Sequence, residues 1–588
     1  MGLDKLIDIN LLARYNTKKS AREDEKIQNL PIHDRNTLIK EYFKRNSTGK
    51  VYGVKFAYDA NDVLIPNGYK YSANAGLVIE PSTRDVVGRN DYSGLNLFKH
   101  LECNAHVDEN GYTVIDYIEG ESGFSRTGAV DVVCAFAPVY EKIYEGYEGT
   151  TKYFYIEWTD RPKEGYTLNI LCKNKDGENN GFYCIAKYQA VLINGIPYSS
   201  LGRPWTNGPS HNACITYYHK KGSYVSAMTC AEWAMMQRIF MMKYASTDSQ
   251  AHLNGLTNYL PTSFYKIQFA TTNKDYIILA TSSANNLIVN TRIDIGTSTS
   301  RNNNNFTIGC NLEILSKSDD IVIFNGVTNN ITSTGYNIKS IDTNIMCVKS
   351  KTGTDTQDVE GNPITFTYTI DGDETETEYN GTVQLVVSDS TYLLELYDEN
   401  VNKIGDCSVS GIVNCTILYL DDNVTTLTSH RVCTSIYKSG YSSEILGEDG
   451  CYMRGEFTTS SRHPAVLSGI EFNTGAYDTI GNSVWWYDNN SDLHLKLIND
   501  PSHLSANTTT ITNTYTDIGI ISRTSASVNW NYGKNIHYDL DNGGFTMNTG
   551  GSSTTGLCDG VYMVANTTKN AFYEVLVFGS LYSGAPYG

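Results

Sequence analysis

The sequence predicts a mainly β chain with α+β character. It reads as an N-terminal helical segment, a β-rich domain, a mixed stretch with a strong helix, a separate all-β, sandwich-like unit and a loop-rich C-terminal stretch. Three observations predict this. At 588 residues the chain is too long for one core, and roughly 150 residues per domain suggests about four units. Charged residues make up only 19%, and Asn, Thr, Ser and Tyr take their place, a mix that suits strands and turns better than long helices. Most apolar runs alternate with period two, and only a few follow the helical period.

Taken in order, residues 1–50 hold 11 Lys/Arg against 7 Asp/Glu, although the whole chain carries a formal charge of −18. Leu3, Leu6, Ile7, Leu11 and Leu12 are spaced as a helical stripe. The run 34–45 predicts a short helix with Leu38, Ile39, Tyr42 and Phe43 on one face, and Lys44 and Arg45 near its end suit the helix dipole. A basic arm ahead of an acidic body reads as a docking segment, with a solvated terminus as the alternative.

From residue 51 the texture is strand-like. The runs 51–58 and 152–158 alternate, 108–111 (DENG) forms a hairpin-type turn, and 130–137 is a continuous apolar run. Residues 51–172 therefore read as one β-rich domain. Within 173–261, Thr229 and Glu232 form a capping box ahead of Trp233, Met236, Phe240 and Tyr244 on one helical face, a core stripe. Residues 262–430 contain the short runs 276–280, 321–324 and 383–387 between Gly/Asn/Asp turns, as in a sandwich or barrel. Asn302 to Asn305 marks a loop tip, and Asp371-Gly372-Asp373-Glu374 a hairpin turn. Residues 431–588 read as loop-rich, with Trp485 and Trp486, a Gly/Ser tract at 550–556, and a closing apolar run 573–578 that returns to a core begun earlier.

Composition excludes several classes of function. With 46 basic and 64 acidic residues and a pI near 5.1, the surface repels phosphate backbones, so no nucleic-acid partner is expected. No run approaches the roughly 20 apolar residues of a membrane span, so no membrane insertion is expected, and no secretory signal can be read after Met1. The 13 cysteines include no C-x-x-C pair, which leaves buried free thiols as the expectation. The 43 Tyr outnumber the 18 Phe and 6 Trp together, and tyrosine supplies rigid, amphipathic contact area for recognition.

Catalytic motifs are lacking: there is no G-x-S-x-G, H-E-x-x-H or phosphate-binding glycine loop. His211 and His219 are the nearest approach to a metal pair, with turn or surface histidines as the default. Glu119 and Glu121, two apart, fit the carboxyl separation of a glycosidase, but chance supplies such pairs in an acidic chain. Asp371, Asp373 and Glu374 offer part of a calcium loop without the remaining ligand spacing. No cofactor, metal or catalytic residue is expected.

The order of several short motifs carries a resemblance. VYGVKF (51–56), EGESGF (119–124), VDVV (130–133) and PVY (138–140) are followed by KYQA (187–190), MTCAEWAM (228–235), LSGIE (467–471) and GAY (475–477). This series resembles phage tail proteins whose C-type-lectin-like domain is related in fold to tropism determinants and formylglycine-generating enzymes. The similarity covers 51–260 and 431–588. It implies that 173–261 and 431–588 are two halves of one lectin-like domain, with 262–430 inserted between them. It implies a non-catalytic virion protein of tail fibre or tail tip, assembled in the host cytoplasm and exposed on the particle. Such a protein would bind a glycan or protein receptor on the bacterial surface and dock to other virion proteins through its N-terminal segment. Fibres of this kind suggest a homotrimer. The alternatives are a head-fibre, collar or decoration protein and, third, a surface-polysaccharide depolymerase. Trp485, Trp486, Tyr487, Trp530 and Tyr532 would lie on exposed binding loops, where aromatic faces stack on sugars and anchor interfaces. Trp530-Asn531-Tyr532 lacks the following Asp of the calcium-lectin triplet, and the copper-binding cysteine pair has no counterpart. Neither calcium-dependent sugar binding nor oxidase activity is carried over.

Overall fold

Helix α1 spans Ile32–Asn46, close to the run predicted for it. The computed structural model describes residues 32–83, 86–202, 205, 210–253, 265–267, 274–279, 281–287, 289, 292–296, 309–318, 321–328, 337–347, 365–369, 378–388, 391–397, 403–409, 413–421, 431–434, 440–451, 465–472, 478–522, 529–557, 560–563 and 569–577. The leucine stripe at residues 3–12, the Asn302–Asn305 tip and the Asp371–Glu374 turn lie outside them. The architecture is mixed α/β and largely stranded, and its named sheets pair antiparallel throughout the described residues. The chain divides into two compact units, one of Met1–Tyr259, Tyr437–Gly455 and Thr459–Gly588, the other of Leu260–Ile436 with Glu456–Thr458.

In the first unit, α1 buries Ile39, Tyr42 and Phe43 against Leu101, Cys103, Ile115, Ile118, Ala135 and Phe182. Apart from Phe182, just ahead of β9, those partners belong to a four-stranded sheet of β3 (His100–Val107), β4 (Thr113–Ile118), β5 (Asp131–Phe136) and β9 (Tyr183–Ala186), in the order β4-β3-β5-β9. Asn36 locks the helix to β4 by donating to the Thr113 carbonyl and accepting from the Ile115 amide, both at 2.8 Å.

A five-stranded sheet, ordered β2-β1-β7-β6-β8, comprises β1 (Tyr52–Ala57), β2 (Tyr69–Ser72), β6 (Tyr140–Glu148), β7 (Thr151–Thr159) and β8 (Thr167–Leu168). Its inner face meets helix α3 (Cys230–Tyr244), which follows the shorter α2 (His211–Tyr218). The capping box is formed as predicted, by the Thr229 hydroxyl with the Glu232 amide and by the Glu232 carboxylate with the Thr229 amide. Met235, Met236, Ile239, Phe240 and Met242 are buried in the main core, with Trp233 packed against it from a half-buried position.

Residues after 437 complete this core. Cys451, Ala465, Leu467, Leu495, Phe545 and Val575 join Val54, Phe136, Ile156 and Met235 in one cluster. The Lys243 ammonium on α3 meets the Asp449 carboxylate at 2.7 Å, both side chains buried, and the amides of Asn90 and Ser468 supply two further hydrogen bonds to Asp449. Gly481 permits a close passage here: its amide donates to the Met228 carbonyl at 2.8 Å, and a Cβ on it would lie 2.9 Å from the Ala227 backbone nitrogen.

The loop-rich texture expected after Cys433 is corrected. This stretch forms a sheet ordered Thr516–Ile521, Leu493–Leu497, Asp478–Tyr487, Ala571–Val577, and a second ordered Gly544–Thr549, Asn529–Asp539, Gly560–Met563. Its polar composition conceals a period-two pattern: Leu493, Leu495 and Leu497 face the core between polar neighbours.

In the second unit, a six-stranded sheet runs Tyr265–Lys266, Arg431–Thr434, Arg292–Gly296, Gly309–Lys317, Ile321–Thr328, Lys274–Ile278. A single bridge between Ile267 and Leu279 brings its two ends together. Ile277, Leu279, Ile293, Ile314, Val322, Phe324 and Val432 share its core with Ala284 from the one-turn helix Thr281–Ala284. A four-stranded sheet of Thr365–Thr369, Glu378–Ser388, Thr391–Tyr397 and Lys403–Val409, and a pair Asn337–Cys347 with Val413–Asp421, complete the unit's described strands. Cys103, Cys134, Cys172, Cys184, Cys214, Cys230 and Cys451 are not in disulfides.

Candidate functional site: a tyrosine-paved sheet face

Strand alternation gives the five-stranded sheet two different faces. Along β7, Phe154, Ile156 and Trp158 enter the core, so Tyr153, Tyr155 and Glu157 must point the other way. Along β1, Tyr52, Val54 and Phe56 enter the core, which leaves Gly53, Lys55 and Ala57 outward. Register then sets the outward residues in rows across the strands. One row is Tyr71-Gly53-Glu157-Lys142, and the next is Tyr69-Lys55-Tyr155-Tyr144. Adjacent residues in such a row lie about 4.5–5.5 Å apart at Cβ and interact directly.

Glu157 is the hub. Its carboxylate accepts from the Tyr71 hydroxyl at 2.9 Å, from Tyr144 at 3.3 Å, and from Tyr166, which follows β7 in the chain. Gly53 makes room for this: a Cβ there would sit 2.4 Å from the Tyr71 ring, so any side chain would push that tyrosine off Glu157. The Tyr144 and Tyr155 rings stack at 4.7 Å and 3°, and Tyr71 meets Tyr155 edge-on at 6.0 Å. Lysines lie on ring faces, Lys142 over Tyr144 at 4.6 Å and Lys55 over Tyr153 at 4.7 Å, a cation–π arrangement.

Burial, then the hydrogen bond to Glu157, raises the pKa of Tyr71 and Tyr166, while burial and the Glu148 carboxylate push Tyr155 up to about 12. These hydroxyls stay protonated at neutral pH, so they are fixed donors. Tyr69 keeps 58% of its surface open. The face offers flat rings, hydroxyls, ammonium groups and carboxylates on rigid strands, the elements of polyol and sugar recognition by stacking and hydrogen bonding.

The sequence-derived aromatics lie elsewhere, on strands rather than loops. Trp485, Trp486 and Tyr487 end the strand Asp478–Tyr487, whose alternation sends its residues to opposite faces. Tyr487 is 3% exposed and belongs to the core, and Trp485 packs half-buried against that core. Trp486, half-buried, stacks on Phe572 at 6.2 Å, with the Lys496 ammonium 4.4 Å from its ring centre. Trp530 and Tyr532 are half-buried on the strand Asn529–Asp539, opposite Tyr562 and Gly560 in a different sheet. The expected exposed-loop placement is thus corrected for all five: Trp485, Trp486 and Tyr487 are paired on both sides, and Trp530 and Tyr532 on one.

Of the other candidates, Glu119 pairs with Arg126, whereas Glu121 accepts from Arg35 at 3.1 Å and from the Ile118 amide at 2.7 Å. His211 is buried in the first turn of α2, and His219 lies 3.1 Å from the Pro501 carbonyl. Among the described residues no group of three His, Cys, Asp or Glu could hold a metal, and no helix is long and apolar enough to cross a membrane. The tyrosine face was missed in the sequence, although the repeat Tyr153-x-Tyr155-x-Glu157 marks it. The chain matches no family model, no curated protein and no solved structure.

Proposed function

We propose that this chain is a non-catalytic attachment protein of a phage virion, carried at a tail fibre or tail tip, that binds a glycan on the bacterial surface. The observation that carries the reading is the tyrosine-paved face, a rigid array of rings and fixed hydrogen-bond groups turned away from the core. The order of lectin-like motifs and the joint core of residues before 254 and after 450 support the same reading. A lectin-like scaffold interrupted by an inserted sandwich is the fold that goes with it. Individual stacking contacts are weak, each about 0.5–1.5 kcal/mol, so a homotrimer presenting three faces gains by avidity.

The test uses the purified full chain, fluorescently labelled and applied to cells susceptible to the particle that carries it. Saturable coating of cells, delayed infection, and a trimeric mass of the purified protein by light scattering are expected. Replacing Tyr69, Tyr144 and Tyr153 together by Ala should weaken coating by about tenfold or more. Unimpaired infection at saturating protein, or full-strength coating by the triple variant, overturns the assignment.

A further inference from the structure

A cavity of about 460 Å³ lies in the first unit, between the β5–β9 part of the four-stranded sheet and the segment that leads into α3. Its size falls within the roughly 300–1,000 Å³ of small-ligand sites. Three features of its wall define what fits. Aromatic side chains line it, among them Tyr188, Trp205 and Tyr224. Its charges balance, with Lys173, Lys175 and Lys221 against Asp131, Glu232 and Glu471. Most of these charges are already engaged: Lys221 pairs with Asp131, Lys175 with Asp176, and Glu471 accepts from the Gly440 amide and from the amide and hydroxyl of Ser443.

Glu232 is different. One carboxyl oxygen, Oε2, closes the capping box, accepting from the Thr229 amide at 2.6 Å and hydroxyl at 2.8 Å. Among the described residues Oε1 has no hydrogen-bond partner, and Glu232, half-buried, lines the cavity. Burial raises the Glu232 pKa above the ordinary glutamate value, with the two Thr229 hydrogen bonds opposing. An acceptor left open beside the cavity has the capacity to bond a ligand hydroxyl.

We infer that this cavity is a second ligand site, separate from the tyrosine face, which takes one neutral, hydroxyl-rich ring of monosaccharide size. The ring's apolar face stacks on the aromatic wall and a hydroxyl bonds to Glu232 Oε1. The balanced wall selects a neutral ligand, since an ion would be buried without a compensating charge.

The full-length protein is titrated with methyl α-glucopyranoside, methyl α-mannopyranoside and N-acetylglucosamine, with tetramethylammonium as the cationic control. Tryptophan fluorescence and ligand-observed NMR report binding. At least one sugar should bind saturably. Ala186→Trp, at an exposed residue of the cavity rim, should weaken that binding at least tenfold with the thermal unfolding profile unchanged. Glu232→Ala should weaken it at least tenfold, and Glu232→Gln, whose amide still bonds a hydroxyl, by less than about threefold. Absence of saturable binding by all three sugars overturns the inference. So does equal sugar binding by the protein and A186W, or tighter binding of tetramethylammonium that E232Q abolishes. Cell coating is scored separately, so either site can fail alone.

Discussion

Glu102 on β3 is buried together with Lys187, and its carboxylate is held by the Lys187 ammonium and by Arg126 at 2.7 Å and 2.9 Å. Arg126 also pairs with Glu119. Burial pushes the Glu102 pKa up, but the Lys187 and Arg126 charges more than offset it, so the net shift is downward. A carboxyl depressed in the folded state adds stability above its unfolded value and loses it as pH falls through the folded value. Chemical denaturation midpoints should therefore fall as pH drops below about 4.3, and Glu102→Gln should flatten that fall. Losing Lys187 leaves the buried Glu102 carboxylate short of one partner, with Arg126 still paired to it, at a cost of about 1–3 kcal/mol. Lys187→Met is expected to destabilise by that amount in urea unfolding at pH 7, and a loss under about 1 kcal/mol would show that solvent reaches the pair. Neither partner was legible in the sequence, because Glu102 and Lys187 are far apart in the chain and β5 lies between their strands.

Local signals served well for single elements. The capping box, the helix near residues 34–45 and the strands at 51–58 and 152–158 all formed within a few residues of their predicted limits. Each depends on neighbours in the chain: a hydroxyl three residues from a carboxylate, or a repeat of apolar side chains. Thr229→Ala should cost about 1 kcal/mol of stability through the lost cap, read as a lower unfolding midpoint, and Thr229→Ser should restore most of it. What stayed hidden depends on partners across a sheet. In 152–158 both faces of the strand are aromatic, so alternation alone does not say which enters the core. The answer comes from β1, whose Val54 and Phe56 are apolar while Gly53 and Lys55 opposite Glu157 and Tyr155 are not. Trp485 and Trp486 illustrate the same limit. Adjacent tryptophans amid Asn and Asp read as a loop until the pairing with Leu493–Leu497 and Ala571–Val577 is known.

At the scale of the whole molecule, the main core draws on residues 52–253 and 451–575 and, among the described residues, on none between them. Replacing residues 260–436 by a short Gly/Ser linker should therefore leave a folded protein. Near-ultraviolet circular dichroism and a cooperative thermal transition are the checks, and an expanded, dye-binding state would contradict the expectation. The pairing of Lys243 with Asp449 also bears on how the protein is made. A ribosome adding about 5–20 residues per second needs roughly 10–40 seconds to pass from the end of the first stretch to the start of the second. Throughout that interval the nascent chain carries an ammonium destined for the interior with no counter-ion yet synthesised. Products that stop early thus remain open to proteases, and only chains completed through their last strands can close the interior and escape quality control.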